Sequence, residues 1–162
     1  MFKKALLLAL IVTSLCFGYK RLIFGVEVGA GYVIKSNDNH PFLDGSAIFN
    51  IKNNLYTRLE FARIAFHSHN THLFLGTLSP IDLMLFFPQE TFNPYGIGGV
   101  RFSTATNLMD LDLRVGAGVE FKFNQARLFP FVEGVFELYT WEIAGSSGTD
   151  NIFTLKGGVR IK

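Results

Sequence analysis

Three imidazoles fall within six residues in "HSHNTH", at His67, His69 and His72, and a fourth stands at His40. Imidazoles two and five residues apart on a surface loop have the donor chemistry for a transition metal. No carboxylate or fourth donor lies near them in sequence, so solvated loop histidines account for the run and no metal is expected. Glu133 and Glu137 stand four apart, hence on one face of a strand, in the manner of an acid/base pair. Structural ion pairs explain them more simply, because bases share that face. The chain contains no GxxxxGK[ST], HExxH or GxSxG and no complete GxGxxG, motifs that cradle phosphate, hold catalytic zinc, present a nucleophile or bind a dinucleotide. No catalytic residue and no cofactor are expected.

The elements that must carry these side chains are read from alternation. Residues Leu111 to Phe123, "LDLRVGAGVEFKF", place an apolar residue at every odd position and charge or glycine at every even one. Successive strand side chains point to opposite faces, so this segment has one apolar face and one of charges and glycines. Segments of the same kind run over Leu22 to Ile34, Phe42 to Ile51, Leu55 to Phe66, His72 to Phe87, Tyr95 to Phe102, Leu128 to Glu142 and Ile152 to Ile161, giving eight strands. "KNN" and "NQAR" are short polar turns, "PQETFN" is intermediate, and "KSNDNHP", "STATNLMD" and "IAGSSGTDN" are longer. Short turns on one rim and long loops on the other fit an up-and-down barrel. "VGAG" and "GGVR" each occur twice, a hint of a repeated hairpin plan.

The chain opens "MFKKALLLALIVTSLCFG": two lysines, a short apolar run and small residues before a break, the plan of a secretory signal peptide. Residues 1–18 are therefore expected to be an export signal, cut after Gly18 or after Cys16, and residues 19–162 one domain. Cys16 is the sole cysteine; "TSLC" has Leu15 where a lipobox wants a small residue, so the cysteine is expected to leave with the signal. Removal of Lys3 and Lys4 leaves equal numbers of bases and acids, without the basic excess that nucleic-acid binding requires. Charged residues are 17% of the chain and aromatics 15%, with eighteen Phe, a balance that suits an apolar solvent better than water. No later run reaches the roughly 20 apolar residues of a helical membrane span.

Alternation alone leaves two closed barrels, a soluble lipocalin-like binder of an apolar ligand with the apolar face inside, or a membrane barrel with that face toward lipid. Three features favour the membrane form. Glycine repeats among the charges, as in Gly25, Glu27, Gly29 and Gly31, make room in a crowded lumen but weaken a water-facing strand. Thirteen strand residues span roughly 43 Å, which a tilt near 45° reduces to about 30 Å, a hydrocarbon core. The export signal and the Phe content agree.

The charged face then lines the lumen and carries Glu27, Asp44, Arg58, Glu60, Asp82, Arg101, Asp112, Arg114, Glu120, Lys122, Glu133, Glu137, Lys156 and Arg160, eight acids against six bases. Facing lipid, each base would cost roughly 2–4 kcal/mol at the midplane; facing inward, they can pair. In strands five and seven this phase turns Tyr95, Ile97, Phe131 and Val135 inward, and a bulge in either would reverse it. Arg63 falls on the apolar face of strand three near the loop rim, where lipid headgroup phosphate would be its partner.

The signal, the glycine-alternating strands, "FNPYGIGGVRF" at Phe92 to Phe102 and "PFVEGVFELY" at Pro130 to Tyr139 resemble the small outer-membrane β-barrel family, porin-like and OmpA-type, over the whole mature chain. The resemblance implies an all-β fold, a closed antiparallel up-and-down transmembrane barrel of eight strands. It also implies Sec-type export and insertion into the bacterial outer membrane, both termini periplasmic and the long loops outside. The implied partners are outer-membrane lipid, lipopolysaccharide and, during biogenesis, the barrel-assembly machinery. Such chains commonly end in an aromatic residue, whereas this sequence ends "GGVRIK". Some eight-stranded barrels are lipid A deacylases, but their His-x-Ser-Asn pattern is not matched by His67-Ser68-His69-Asn70, where serine comes one place early. The expected function is that of a non-enzymatic envelope or surface-interaction protein with a filled lumen, the soluble binder second and an acyl hydrolase third.

Overall fold

A computed structural model describes residues 24–35, 38–75, 80–105, 108–123, 127–143 and 146–162. The expected signal segment and Cys16 lie outside them. Among the described residues every regular element is a strand: β1 (Phe24–Lys35), β2 (His40–Lys52), β3 (Leu55–Phe66), β4 (Thr71–Leu75), β5 (Ile81–Phe86), β6 (Phe92–Ala105), β7 (Leu108–Phe121), β8 (Leu128–Ile143) and β9 (Ser146–Ile161). All pairings are antiparallel; they join neighbours in sequence except that β3 also pairs with β5 and β9 returns to pair with β1. Because β4 and β5 both lie along β3, the nine segments fill eight positions around the wall. The β1–β9 and β2–β3 pairings close the barrel, and among the described residues β4 alone pairs on one side only, with β3.

The fourth position was expected as one strand, His72 to Phe87; it is divided, with residues 76–79 outside the described set and Pro80 just before β5. Proline cannot donate to a ladder, and β5 resumes its pairing with β3 one residue later, at Leu59 and Ile81. Two expected loops are also shorter than their polarity suggests. Pairing in the β6–β7 hairpin continues to Ala105 and Leu108, and in the β8–β9 hairpin to Ile143 and Ser146. Cross-strand backbone hydrogen bonds form as well over Ser and Thr as over apolar residues, so the ladder outlasts the hydrophobic alternation that marks it in sequence. The "KNN" turn is a tight hairpin: Asn53 takes a positive φ of 50°, a backbone region Asn tolerates, and the Asn50 amide donates to the Asn53 carbonyl at 2.8 Å.

The alternation resolves as an apolar exterior and an interior that holds both the charges and an apolar cluster of Ile48, Met84, Phe86, Tyr95, Ile97 and Val135. Val28 and Val115 are each 61% exposed and Leu155 is 50% exposed, while Glu27, Asp82 and Arg160 are fully buried. Tyr95, Ile97, Phe131 and Val135 all point inward and are buried, so the phase of β6 and β8 runs without reversal. A lipocalin-like arrangement would invert this, with the leucines and valines inside.

One bulge changes a side chain's address. In the β2–β3 pair Gly45 opposes Ala62 and Ser46 opposes Glu60, so Phe61 is the extra residue. Its ring lies 3.0 Å from where a Gly45 Cβ would stand. Beyond the bulge the phase of β3 flips, and Arg63, expected on the lipid face, turns inward instead. It is opposite Asp44 in register, pairs with Glu60 at 2.7 Å and lies 4.5 Å over the Phe42 ring.

Candidate functional site

Two constellations occupy the interior, an ionic plug along the axis and a histidine cluster at the mouth away from the chain termini. The plug is built by alternation: each strand sends every second residue inward, and the register lays charges from neighbouring strands side by side. Glu27 opposes Arg160 across β1 and β9, Arg58 opposes Asp82 across β3 and β5, and Arg114 opposes Glu137 across β7 and β8.

From these pairs the connections spread across the lumen. Arg58 donates from Nη1 to Glu27 at 3.0 Å and to Glu133 at 2.6 Å, and from Nη2 to Asp82 at 2.6 Å. Arg160 donates to Glu27 at 2.7 Å, to the Tyr95 hydroxyl at 2.8 Å and to Glu133 at 3.2 Å, with Glu120 at 3.3 Å. Lys156 bridges Glu27 and Asp44. Arg114 continues from Asp82 at 3.0 Å to Glu137 at 3.3 Å, and Arg101 closes on Glu137 at 3.2 Å and Asp112 at 3.5 Å. The result is one connected series, from Lys162 on Glu120 at the terminal end to Arg101 at the other. Charges taken from water are tolerated only when they find partners; sharing of carboxylates gives each cation of the series at least one ion pair, while Asp44 Oδ1, Arg114 Nε and Glu137 Oε2 make no hydrogen bond among the described residues.

Of the fourteen residues assigned to the lumen from sequence, thirteen line it. Lys122 does not join the series: it stands one residue past β7 and donates its ammonium to the Gln89 carbonyl on the rim that carries the chain termini. Four participants were missed, one of them Asn93, whose amide donates to Glu120 at 3.1 Å. Arg63 was hidden by the bulge. Lys162 has the same parity as Arg160, two residues on, and pairs with Glu120 at 2.7 Å; extending the β9 pattern by one step finds it. Tyr95 was placed inward but given no role, yet its hydroxyl donates to Glu133 at 2.8 Å while accepting from Arg160. With Arg63 and Lys162 gained and Lys122 lost, seven cations face the same eight carboxylates.

Glycines make room for the long side chains. A Cβ at Gly29 would fall on the Lys156 chain and 2.7 Å from Asp44 Oδ1; one at Gly118 would meet the Tyr95 ring and, at 2.8 Å, the Glu133 Cβ. Eight strands leave an interior that side chains can fill, and these do fill it.

At the mouth, the sequence-spaced triplet does not act as one group. His69 is exposed on the turn between β3 and β4, and His72 is exposed on β4 with its ring 5.1 Å from that of His67. His67 instead meets His40 from the start of β2, ring centroids 4.0 Å apart, and both face Asp38. The carboxylate absent from the local sequence comes from the β1–β2 connection.

No protein-family model matches this chain, and no curated protein does. Among solved structures, Neisserial surface protein A has a TM-score of 0.61 at 13% identity, covering 86% of this chain and 96% of its own. The N-terminal β-barrel domain of Pseudomonas aeruginosa OprF has a TM-score of 0.52 at 12% identity, covering 87% of this chain and 100% of its own. The fold is that of the small eight-stranded outer-membrane β-barrels. Within that fold, the apolar wall and the ionic lumen of this chain have a common explanation, since the strand alternation that supplies one supplies the other.

Proposed function

We propose that this chain is a non-enzymatic outer-membrane protein with a closed lumen, acting structurally in the envelope or in surface interactions through the loops opposite its termini. The observation that carries the reading is the pairing of an exposed apolar wall with a buried, connected ion network. Val28, Leu113, Val115, Val132 and Leu155 are each at least half exposed on a continuous face, which in water would be a large hydrophobic patch and in lipid is a solvated surface. The same face is the contact for outer-membrane lipid and lipopolysaccharide. Export by a Sec-type route and insertion by the barrel-assembly machinery complete the reading.

Plugging argues against a diffusion pore. Arg58 alone reaches carboxylates from β1, β5 and β8, so the lumen is crossed by side chains at mid-height. The likeness to Neisserial surface protein A and to the OprF barrel domain supports the fold on which this role rests.

The test is refolding. Urea-unfolded chain from Tyr19 to Lys162 is diluted into buffer with and without detergent micelles and followed by far-UV dichroism and by gel mobility before and after boiling. Strand structure that needs micelles, with a boiling-dependent mobility shift and no conductance in planar bilayers, is expected. A monomeric β-fold in plain buffer would overturn the proposal.

A further inference from the structure

We propose that Asp38, His40 and His67 form a divalent metal site at the mouth of the barrel, of the imidazole-rich class that takes Zn2+. His40 Nδ1 lies 3.5 Å from Asp38 Oδ1, and His67 Nε2 lies 3.2 Å from Asp38 Oδ2. One donor atom from each of the three residues lies within 4.8 Å of the others. Two donors bound tetrahedrally to Zn2+ at 2.0–2.1 Å sit about 3.3 Å apart, and each histidine lies near that distance from one of the two Asp38 oxygens, His40 from Oδ1 and His67 from Oδ2. His40 Nδ1 has no hydrogen-bond partner among the described residues, so its lone pair is not committed elsewhere.

The three donors come from two connections, Asp38 and His40 from the β1–β2 turn and the residue that opens β2, His67 from the β3–β4 turn, and each turn is closed by its own hydrogen bonds. The Asp38 amide donates to the Lys35 carbonyl at 3.4 Å, and the Lys35 amide donates to Asn39 Oδ1 at 2.8 Å. His67 is held by its amide, which donates to the Asn70 carbonyl at 2.8 Å. His40 begins β2 and is fixed in register against Val33. The backbone therefore presents the donors together without a metal to gather them.

The neighbouring charges do not compete for Asp38. Lys35 pairs with Asp150 at 2.9 Å, Arg63 with Glu60, and Arg101 with Glu137 and Asp112. Lys35, Asp38, His40, Arg63 and Arg101 also line one cavity of about 250 Å³ at this mouth. Three protein donors leave a fourth position for water or an added ligand, as in open rather than closed zinc sites. His69 lies outside the set, which separates this site from a loose binding by the "HSHNTH" run.

The test uses the untagged chain folded in detergent micelles, titrated with ZnCl2 by calorimetry. One Zn2+ per chain is expected. Asp38→Asn, His40→Ala and His67→Ala should each weaken binding at least tenfold, the lower end of what even an outer-shell change costs; His69→Ala should leave it unchanged. Each variant is checked for the folded gel mobility. As a second readout on the unaltered chain, CoCl2 should give the intense visible absorption of a four- or five-coordinate site. Absence of Zn2+ binding, a weak six-coordinate cobalt spectrum, or loss on His69→Ala with retention on His40→Ala would overturn the site.

Discussion

Glu27 and Arg160 face each other in register across β1 and β9, the first and last strands, with Glu27 Oε2 2.7 Å from Arg160 Nε and neither side chain exposed. The seam that closes the barrel is thus also the place where its ion network is most deeply buried. Glu27 is shared with Arg58 and Lys156 as well, so one carboxylate balances three cations from two strands. The same residue pair thus closes the wall and neutralises the lumen.

Replacement of Glu27 by Ala should therefore cost more than any one pair would suggest. Removing one partner from a buried ion pair costs about 3–5 kcal/mol, because the remaining charge stays buried, and here three charges lose their common partner. Urea unfolding in micelles should show a loss at least that large. A loss below about 1 kcal/mol would mean that the three cations are solvated and do not depend on Glu27.

Arg63 gives a prediction in which the sign decides. If it faced lipid, Arg63→Leu would stabilise the barrel by removing a charge from an apolar surface. Facing inward, the same change leaves Glu60 without its partner at 2.7 Å and strips the Phe42 ring of its cation. A loss of about 1–3 kcal/mol is expected from the unpaired carboxylate. A gain in unfolding midpoint would restore the outward placement and remove the bulge from the account.

The glycines separate into two kinds. Gly118→Val drives side-chain carbon into the Tyr95 ring and Glu133, and overpacking of this kind costs about 1–3 kcal/mol. A Cβ at Gly96, on the outer wall of β6, meets nothing within 4 Å, so Gly96→Ala should be neutral or slightly stabilising through the reduced freedom of the unfolded chain. Equal effects at the two positions, measured by the same unfolding assay, would refute the crowded-lumen explanation.

Parity made most of this interior legible in sequence. Wherever a strand keeps strict alternation, as from Leu111 to Glu120, the inward set follows from counting by twos. Legibility stops where the count is interrupted or the signal fades. A bulge at Phe61 shifts the count by one, and its trace in sequence was the lone charge of Arg63 on an otherwise apolar face. Polar hairpin ends such as Ser146 to Thr149 pair by backbone hydrogen bonds, which alternation does not report. The mouth cluster was illegible for a different reason: Asp38 and His40 lie more than twenty residues from His67, and only the closing of β2 against β3 brings them together.

The outer wall supplies the remaining prediction, and it tests the solvent rather than the fold. Val115 lies midway along β7, 61% exposed, opposite Gly98 on β6 and Phe136 on β8. Because it touches so little protein, Val115→Arg disturbs no packing and leaves the lumen charges alone; in water the change would be worth within about 0.5 kcal/mol. At the midplane of a bilayer the same guanidinium costs about 2–4 kcal/mol. Unfolding of the variant and the unaltered chain from lipid vesicles should differ by that amount, and the penalty should shrink when arginine is placed instead at Leu128, at the start of β8 near the terminal rim. A depth-dependent cost is a property of lipid alone, so equal stability at both positions would remove the membrane from the reading while leaving the barrel intact.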